Sequence, residues 1–195
     1  MNGALPTPSP QSTIALSTEI YTVFAGQIDQ EAVKRIFNTL TVATNPTMKI
    51  THIHLLFQST GGFVGDGIAL YNFFRVLPID LTIYNAGSVQ SVATIAYLGA
   101  KKRKVSAHAT FMIHRTYLNP QYATTTRLQA ATKSLLVDDQ RTEAILKAHI
   151  KLPDEQWKEL DYHDLTFSAD EAVKYRFADE MAEFAPPKGT QLYNI

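Results

Sequence analysis

Residues 49–98 read KITHIHLLFQSTGGFVGDGIALYNFFRVLPIDLTIYNAGSVQSVATIAYL, and their order of apolar runs and glycines decides the fold. Residues 49–58 alternate and then concentrate β-branched and large apolar side chains, the pattern of a buried strand. The run ends at Ser59-Thr60-Gly61-Gly62, passes Gly65 and Gly67, and becomes an apolar helix over 68–76 that Pro78 stops. Residues 80–86 repeat the strand pattern, and Gly87 turns the chain into a helix predicted from about 89 to 98. Strand, helix, strand, helix in close succession predicts an α/β fold with mostly parallel pairing.

The flanks extend the same alternation. Residues 14–24 read as a strand, Gly26 breaks it, and Asp29 is placed to cap a helix over 30–44 with Val33, Ile36, Phe37 and Leu40 on one face. Beyond residue 98, the basic run Lys101 to Lys104 reads as a solvated turn, followed by short strands over 105–107 and 110–114. Residues 122–150 hold a helical pattern with neither Gly nor Pro, about twice the mean helix length. Pro153 opens a short helix, Ser168-Ala169-Asp170-Glu171 is a capping box, and 176–184 form a last short strand. The organisation expected is a flexible tail over 1–13, one domain over 14–185 with a long helix at about 122–150, and a tail over 186–195.

Bulk properties narrow the function classes. Eighteen basic and eighteen acidic residues give a formal net charge of 0, which argues against nucleic acid or an anionic membrane as the main partner. The absence of cysteine excludes disulfides, thiolate metal sites and a cysteine nucleophile. No apolar run of about 18 residues predicts a membrane span, and residues 1–13 lack the features of a secretory signal. A cytoplasmic location is expected.

Four segments carry chemistry. In Gly87-Ser88-Val89-Gln90-Ser91-Val92 a serine stands near the start of an apolar helix. The first amides of a helix lack internal partners, so they favour an alkoxide or tetrahedral oxyanion; a serine there equally serves as a plain cap. The Gly61-Gly62 turn lets backbone N–H groups approach a ligand. In Met112-Ile113-His114 an imidazole ends an apolar strand, where it is suited to proton transfer near neutral pH. Asp164 lies in an extended stretch before the capping box, with Asp161 close enough to compete for the same role. Outside these segments, His52 and His54 alternate on one strand face like a metal pair, but no third ligand stands near them in sequence. No metal and no organic cofactor is expected.

In order and nearly in spacing, these segments resemble the Clp protease proteolytic subunit family (peptidase family S14, in the Clp/crotonase superfamily) over about 20–181. That family has Ser-Pro-Gly-Gly, then Gly-x-Ala-Ala-Ser-Met, then Met-Ile-His, a long handle helix, and Arg-Asp-x-x-x-Ser-Ala-x-Glu-Ala. The resemblance implies a spiral of β-α-β units with a projecting handle helix. It implies a serine endopeptidase with Ser91 as nucleophile, His114 as general base and Asp164 as the orienting acid, and with the N–H groups of Gly62 and Val92 as the oxyanion hole. It implies peptide or unfolded-protein substrates, a homo-oligomeric ring (a heptamer or double heptamer), and an AAA+ Clp ATPase as a further partner. This chain departs from the pattern at Thr60, at Val89-Gln90, at Arg115-Thr116 after the histidine, and over 117–126, where the family's glycine-rich strand is absent. Two other readings remain open: a catalytically silent ring component, and a crotonase-type enzyme using the same amides on an acyl thioester. A signal-peptide-peptidase relative fits less well, because that branch uses lysine as base and this chain has His114.

Overall fold

A computed structural model describes residues 18–117 and 124–195. The first strand, β1 (Glu19–Ala25), leads through α1 (Gln30–Ala43) into β2 (His52–Gln58). Asp29 caps α1, its carboxylate accepting the Ala32 N–H at 2.8 Å. The buried face of α1 is Ala32, Val33, Ile36, Leu40 and Ala43, the i, i+3, i+4 spacing of an amphipathic helix. Phe37, at the edge of that face, packs on Phe73 with ring centroids 4.5 Å apart.

From β2 the chain runs through α2 (Val64–Val76) to β3 (Asp80–Asn85), then β4 (Ser88–Gln90), α3 (Val92–Tyr97), β5 (Lys102–Val105) and β6 (Thr110–Ile113). The long helix α4 (Thr125–His149) follows, then α5 (Asp154–Glu159), β7 (Leu165–Phe167), α6 (Ala169–Lys174), β8 (Glu180–Met181) and β9 (Leu192–Asn194). Six strands form a sheet in the order β8-β5-β3-β2-β1-β9, with every pair parallel. A smaller sheet, β4-β6-β7, pairs β4 with β6 in parallel and β6 with β7 antiparallel. From β1 to β5 each crossover moves the chain the same way across the large sheet, the spiral implied by the resemblance.

Sequence reading and structure differ most at four places, each for a physical reason. The helix expected from residue 89 starts at Val92, because Ser88–Gln90 pairs with β6 and bridges Ser59 through Val89. The basic run is mostly strand β5: its backbone pairs with β3, while Arg103 and Lys104 meet Asp179 and Glu180 at 2.7 and 3.0 Å. Helix α2 starts four residues early, at Val64, and Gly67 in its first turns abuts α3: a Cβ there would lie 2.2 Å from Val92 Cγ2. The expected C-terminal tail returns to the sheet, since Leu192–Asn194 pairs with Tyr21–Val23 and Ile195 is buried. The tail expected over 1–13 and the start of the first strand at residue 14 lie outside the described residues.

Helix α4 measures roughly 37 Å at 1.5 Å per residue, yet Leu146 is its one fully buried side chain. Leu128, Leu136 and Val137 stand exposed along it. Its C-terminal end is held to the body by Tyr71, whose hydroxyl lies 2.9 Å from His149 Nε2. Burial, followed by the nearby charges of Arg103 and Arg75, lowers the His149 pKa. Among the described residues no helix is long and apolar enough to cross a membrane.

Candidate active site

The backbone around Ser91 is held by hydrogen bonds from three directions. Its N–H donates to Met112 O at 2.7 Å, Gln90 N–H donates to Ser59 O at 2.9 Å, and Ser59 N–H donates to Ser88 O at 3.1 Å. Buried Asn85 ties the preceding turn, accepting the Gly87 N–H at 3.1 Å and donating to Thr110 O at 2.8 Å. These bonds hold Ser91 at φ 56° and ψ −134°, a conformation costly for any residue with a Cβ. A plain helix-capping serine takes extended backbone and accepts a bond from the helix's first turn. Ser91 does neither: its side chain makes no capping bond.

The side chain of Ser91 faces His114. The Oγ lies 2.8 Å from His114 Nε2, joining residues 23 apart in sequence. His114 directly follows β6, whose pairing with β4 brings Gln90 opposite Met112 and so sets the serine and the imidazole at the same end of the small sheet. Tyr117 stands beside the imidazole, ring centroids 5.4 Å apart.

The expected third member is placed near but is not engaged. In the antiparallel β6–β7 pair, Ile113 lies opposite Leu165, so the register continued by one step sets Asp164 across from His114. Nδ1 of His114, however, lies 2.6 Å from the carbonyl oxygen of Arg115. In this geometry a main-chain carbonyl, and not the Asp164 carboxylate, lies at Nδ1. The Arg115 side chain explains why that carbonyl is in place. It pairs with Glu143 of α4 at 2.5 Å and with Asp161 through both Nε (2.9 Å) and Nη2. Next to it, Thr116 N–H donates to Asp139 of α4 at 2.7 Å. Asp161, a competitor for the orienting role in the sequence, is thus occupied by Arg115.

Two glycines complete the site. Ile28 N–H donates to Gly61 O at 2.8 Å and Phe63 N–H donates to Ile28 O at 3.0 Å, a bridge that does not use the Gly62 N–H. Val92, the first residue of α3, likewise has an N–H without an intrahelical acceptor. Gly61 sits at φ 100°, and a Cβ there would lie 2.7 Å from Ser91 Cβ. Glycine at 61 is required both by its backbone and by its closeness to the serine.

Ser91, His114, Asp164, Gly62 and Val92 all line one cavity of about 690 Å³, whose far wall is the α4 residues Ser134, Leu135, Asp138, Thr142 and Leu146. Gln90 also faces this cavity from β4. The expected change of substrate-binding segment over 117–126 lies largely outside the described residues. Sequence reasoning named Gly61 in the glycine turn but not its closeness to Ser91, and it missed the part played by Arg115, which nothing local signals.

Comparison with known proteins bears on the family and the fold. A family model described as Clp protease matches residues 10–184. The chain is 29% identical over 172 residues to the ATP-dependent Clp protease proteolytic subunit 3 of Rhodococcus jostii, covering 84% of this chain and 83% of that protein. It is 27% identical over 176 residues to the proteolytic subunit 2 of Chlamydia muridarum, covering 86% and 84%. Among solved structures, a ClpP1 mutant from Listeria monocytogenes superposes with a TM-score of 0.72 at 20% identity, covering 84% of this chain and 91% of that one.

Proposed function

The chain belongs to the Clp protease family, and on that premise we propose that it is a serine endopeptidase acting on peptides or unfolded polypeptide. The observation that carries this reading is the 2.8 Å contact between His114 Nε2 and the Oγ of a serine at positive φ beside two glycines. In the reaction, His114 Nε2 takes the Ser91 hydroxyl proton as Oγ attacks the scissile carbonyl. The negative oxygen that forms is received by the N–H groups of Gly62 and Val92. His114 then returns the proton to the departing amine, and water attacks the acyl-serine by the same route.

Asp164 supplies charge in this scheme. Its carboxylate, in the same cavity, stabilises the imidazolium that forms on His114, while the Arg115 carbonyl fixes the tautomer. Where a carboxylate does both jobs, its loss costs about 10⁴ in kcat, largely because the wrong tautomer results. Here Asp164→Asn is expected to lower kcat about 10- to 100-fold, because the carbonyl still holds the Nδ1 proton. Steady-state cleavage of a fluorogenic peptide decides it. A loss near 10⁴ would mean that Asp164 takes over Nδ1 in the working enzyme.

By analogy with the family, the working form is a homo-oligomeric ring, heptameric or doubled, with α4 available to neighbouring subunits and an AAA+ Clp ATPase as the source of unfolded substrate. The direct test of the chemistry is labelling with a fluorophosphonate. One adduct per chain is expected, mapped to Ser91 by peptide mass. An intact mass unchanged after prolonged exposure of the assembled protein would favour a silent ring component.

A further inference from the structure

On the face of the large sheet that carries His52 and His54, a second group of side chains brings nitrogen and carboxylate donors together. His52 and His54 are two residues apart on β2 and so share one face of the sheet. That face is separate from the buried side, where Ile53, Leu55 and Phe57 pack into the core. Parallel pairing with β1 puts Glu19 opposite His52 and Tyr21 opposite His54. The third ligand missing from the local sequence thus arrives from 33 residues upstream of His52.

One donor spacing is already close to that of a bound cation's shell. His54 Nε2 lies 3.2 Å from Glu19 Oε2, and one donor atom from each of Glu19, His52 and His54 lies within 4.8 Å of the others. Ligands about 2.1 Å from a tetrahedral zinc ion stand roughly 3.4 Å apart. Both imidazoles are oriented from behind. His54 Nδ1 lies 3.0 Å from the Tyr84 hydroxyl, and His52 Nε2 lies 2.8 Å from Thr82 Oγ1. Such outer contacts fix ring orientation and tautomer in metal sites. The rings are also stacked, His52 on His54 at 4.2 Å and Tyr21 on His54 at 4.4 Å. Burial lowers the pKa of both histidines, with His52 adding to the effect on His54. Of the two lysines whose charges reach these rings, Lys102 and Lys104, the second is paired with Glu180 at 3.0 Å. The His54 side chain is 12% exposed and that of Glu19 is 46% exposed.

We propose that Glu19, His52 and His54 bind a divalent transition-metal ion of the zinc type, with water completing the shell. Two imidazole nitrogens and one carboxylate select such an ion over calcium or magnesium, which favour oxygen. None of the three residues lines the Ser91 cavity, so metal binding is separable from peptide cleavage.

Zinc titrated into the metal-free full chain by calorimetry tests the proposal, with cobalt as a spectroscopic probe of coordination. Expected are one ion per chain with low-micromolar affinity, visible cobalt bands of a four- or five-coordinate site, and a raised unfolding temperature. His54→Gln should weaken binding at least about 100-fold, and Glu19→Gln about 10-fold, with fluorophosphonate labelling of Ser91 unchanged. Absence of binding at 100 µM zinc (an arbitrary ceiling, about 100-fold above the expected affinity) would overturn it, as would undiminished affinity in His54→Gln. Should that variant fold poorly, imidazole NMR resonances of the parent chain decide: His52 and His54 must shift with zinc, and shifts confined to other histidines would also overturn it.

Discussion

Ser91→Ala is expected to lower peptide cleavage by at least about 10⁴-fold, because without a nucleophile only binding and the amide pair remain to accelerate the reaction. Its fold should be undisturbed, since the three backbone bonds that shape the turn use no side-chain atom of residue 91. Ser91→Gly separates catalysis from strain. Both variants lack the hydroxyl, but alanine keeps the Cβ that makes φ 56° costly, and glycine does not. Strain of about 1–3 kcal/mol is released, and the greater freedom of unfolded glycine takes back about 0.5–1 kcal/mol. Ser91→Gly should therefore unfold higher than Ser91→Ala by about 1 kcal/mol, or roughly 2–4 °C for a chain of this size. Thermal denaturation of the two inactive variants measures this directly. Equal midpoints would show that the turn is not strained, and Ser91→Ala retaining more than a hundredth of parental kcat would place the nucleophile elsewhere.

How much of this was legible in the sequence depends on how local each determinant is. The β-α-β order from β1 to β3 follows from glycine, proline and apolar period alone, and Asp29 and the Ser168–Glu171 box mark their helices correctly. Ser91 and His114 stood out as candidates because the order and spacing of their segments resemble the family pattern, and neither motif singles them out alone. The conformation of Ser91 was not legible, because it is imposed by Met112 and Ser59, residues distant in sequence. Residues 89–98 hold neither Gly nor Pro and read as one helix, and pairing with β6 and Ser59 divides them into strand and helix. Charge hid β5, since a run of four basic residues looks solvated until Asp179 and Glu180 are folded against it. The Arg115 carbonyl was beyond sequence reading, because a backbone group has no residue signature and its placement rests on Glu143 and Asp161.

Gly62→Ala is expected to cost both stability and rate, by a mechanism that the neighbouring Gly65 isolates. A Cβ on Gly62 would lie 1.9 Å from Ile28 O and 2.7 Å from Ile28 C. These are backbone atoms, and the strap they belong to is fixed on both sides by the Ile28–Gly61 and Phe63–Ile28 hydrogen bonds. The strap and the glycine turn must separate, breaking at least one of those bonds, so a loss of about 3 kcal/mol follows from overpacking at a site that cannot relax. The same displacement moves the Gly62 N–H, and loss of one such donor lowers kcat about 10²- to 10³-fold. Gly65→Ala controls for effects of helix composition: no atom lies within 4 Å of its Cβ position, and alanine favours the first turn of α2 by up to about 1 kcal/mol. It should unfold no earlier than the parent and cleave peptide at the parental rate. The two variants are compared by thermal midpoint and by kcat measured well below either midpoint, so that unfolding does not pass for lost catalysis. A folded Gly62→Ala protein with parental kcat would remove this amide from the oxyanion hole, because the carbonyl oxygen of Ile28 leaves the turn no way to accept a methyl group without moving.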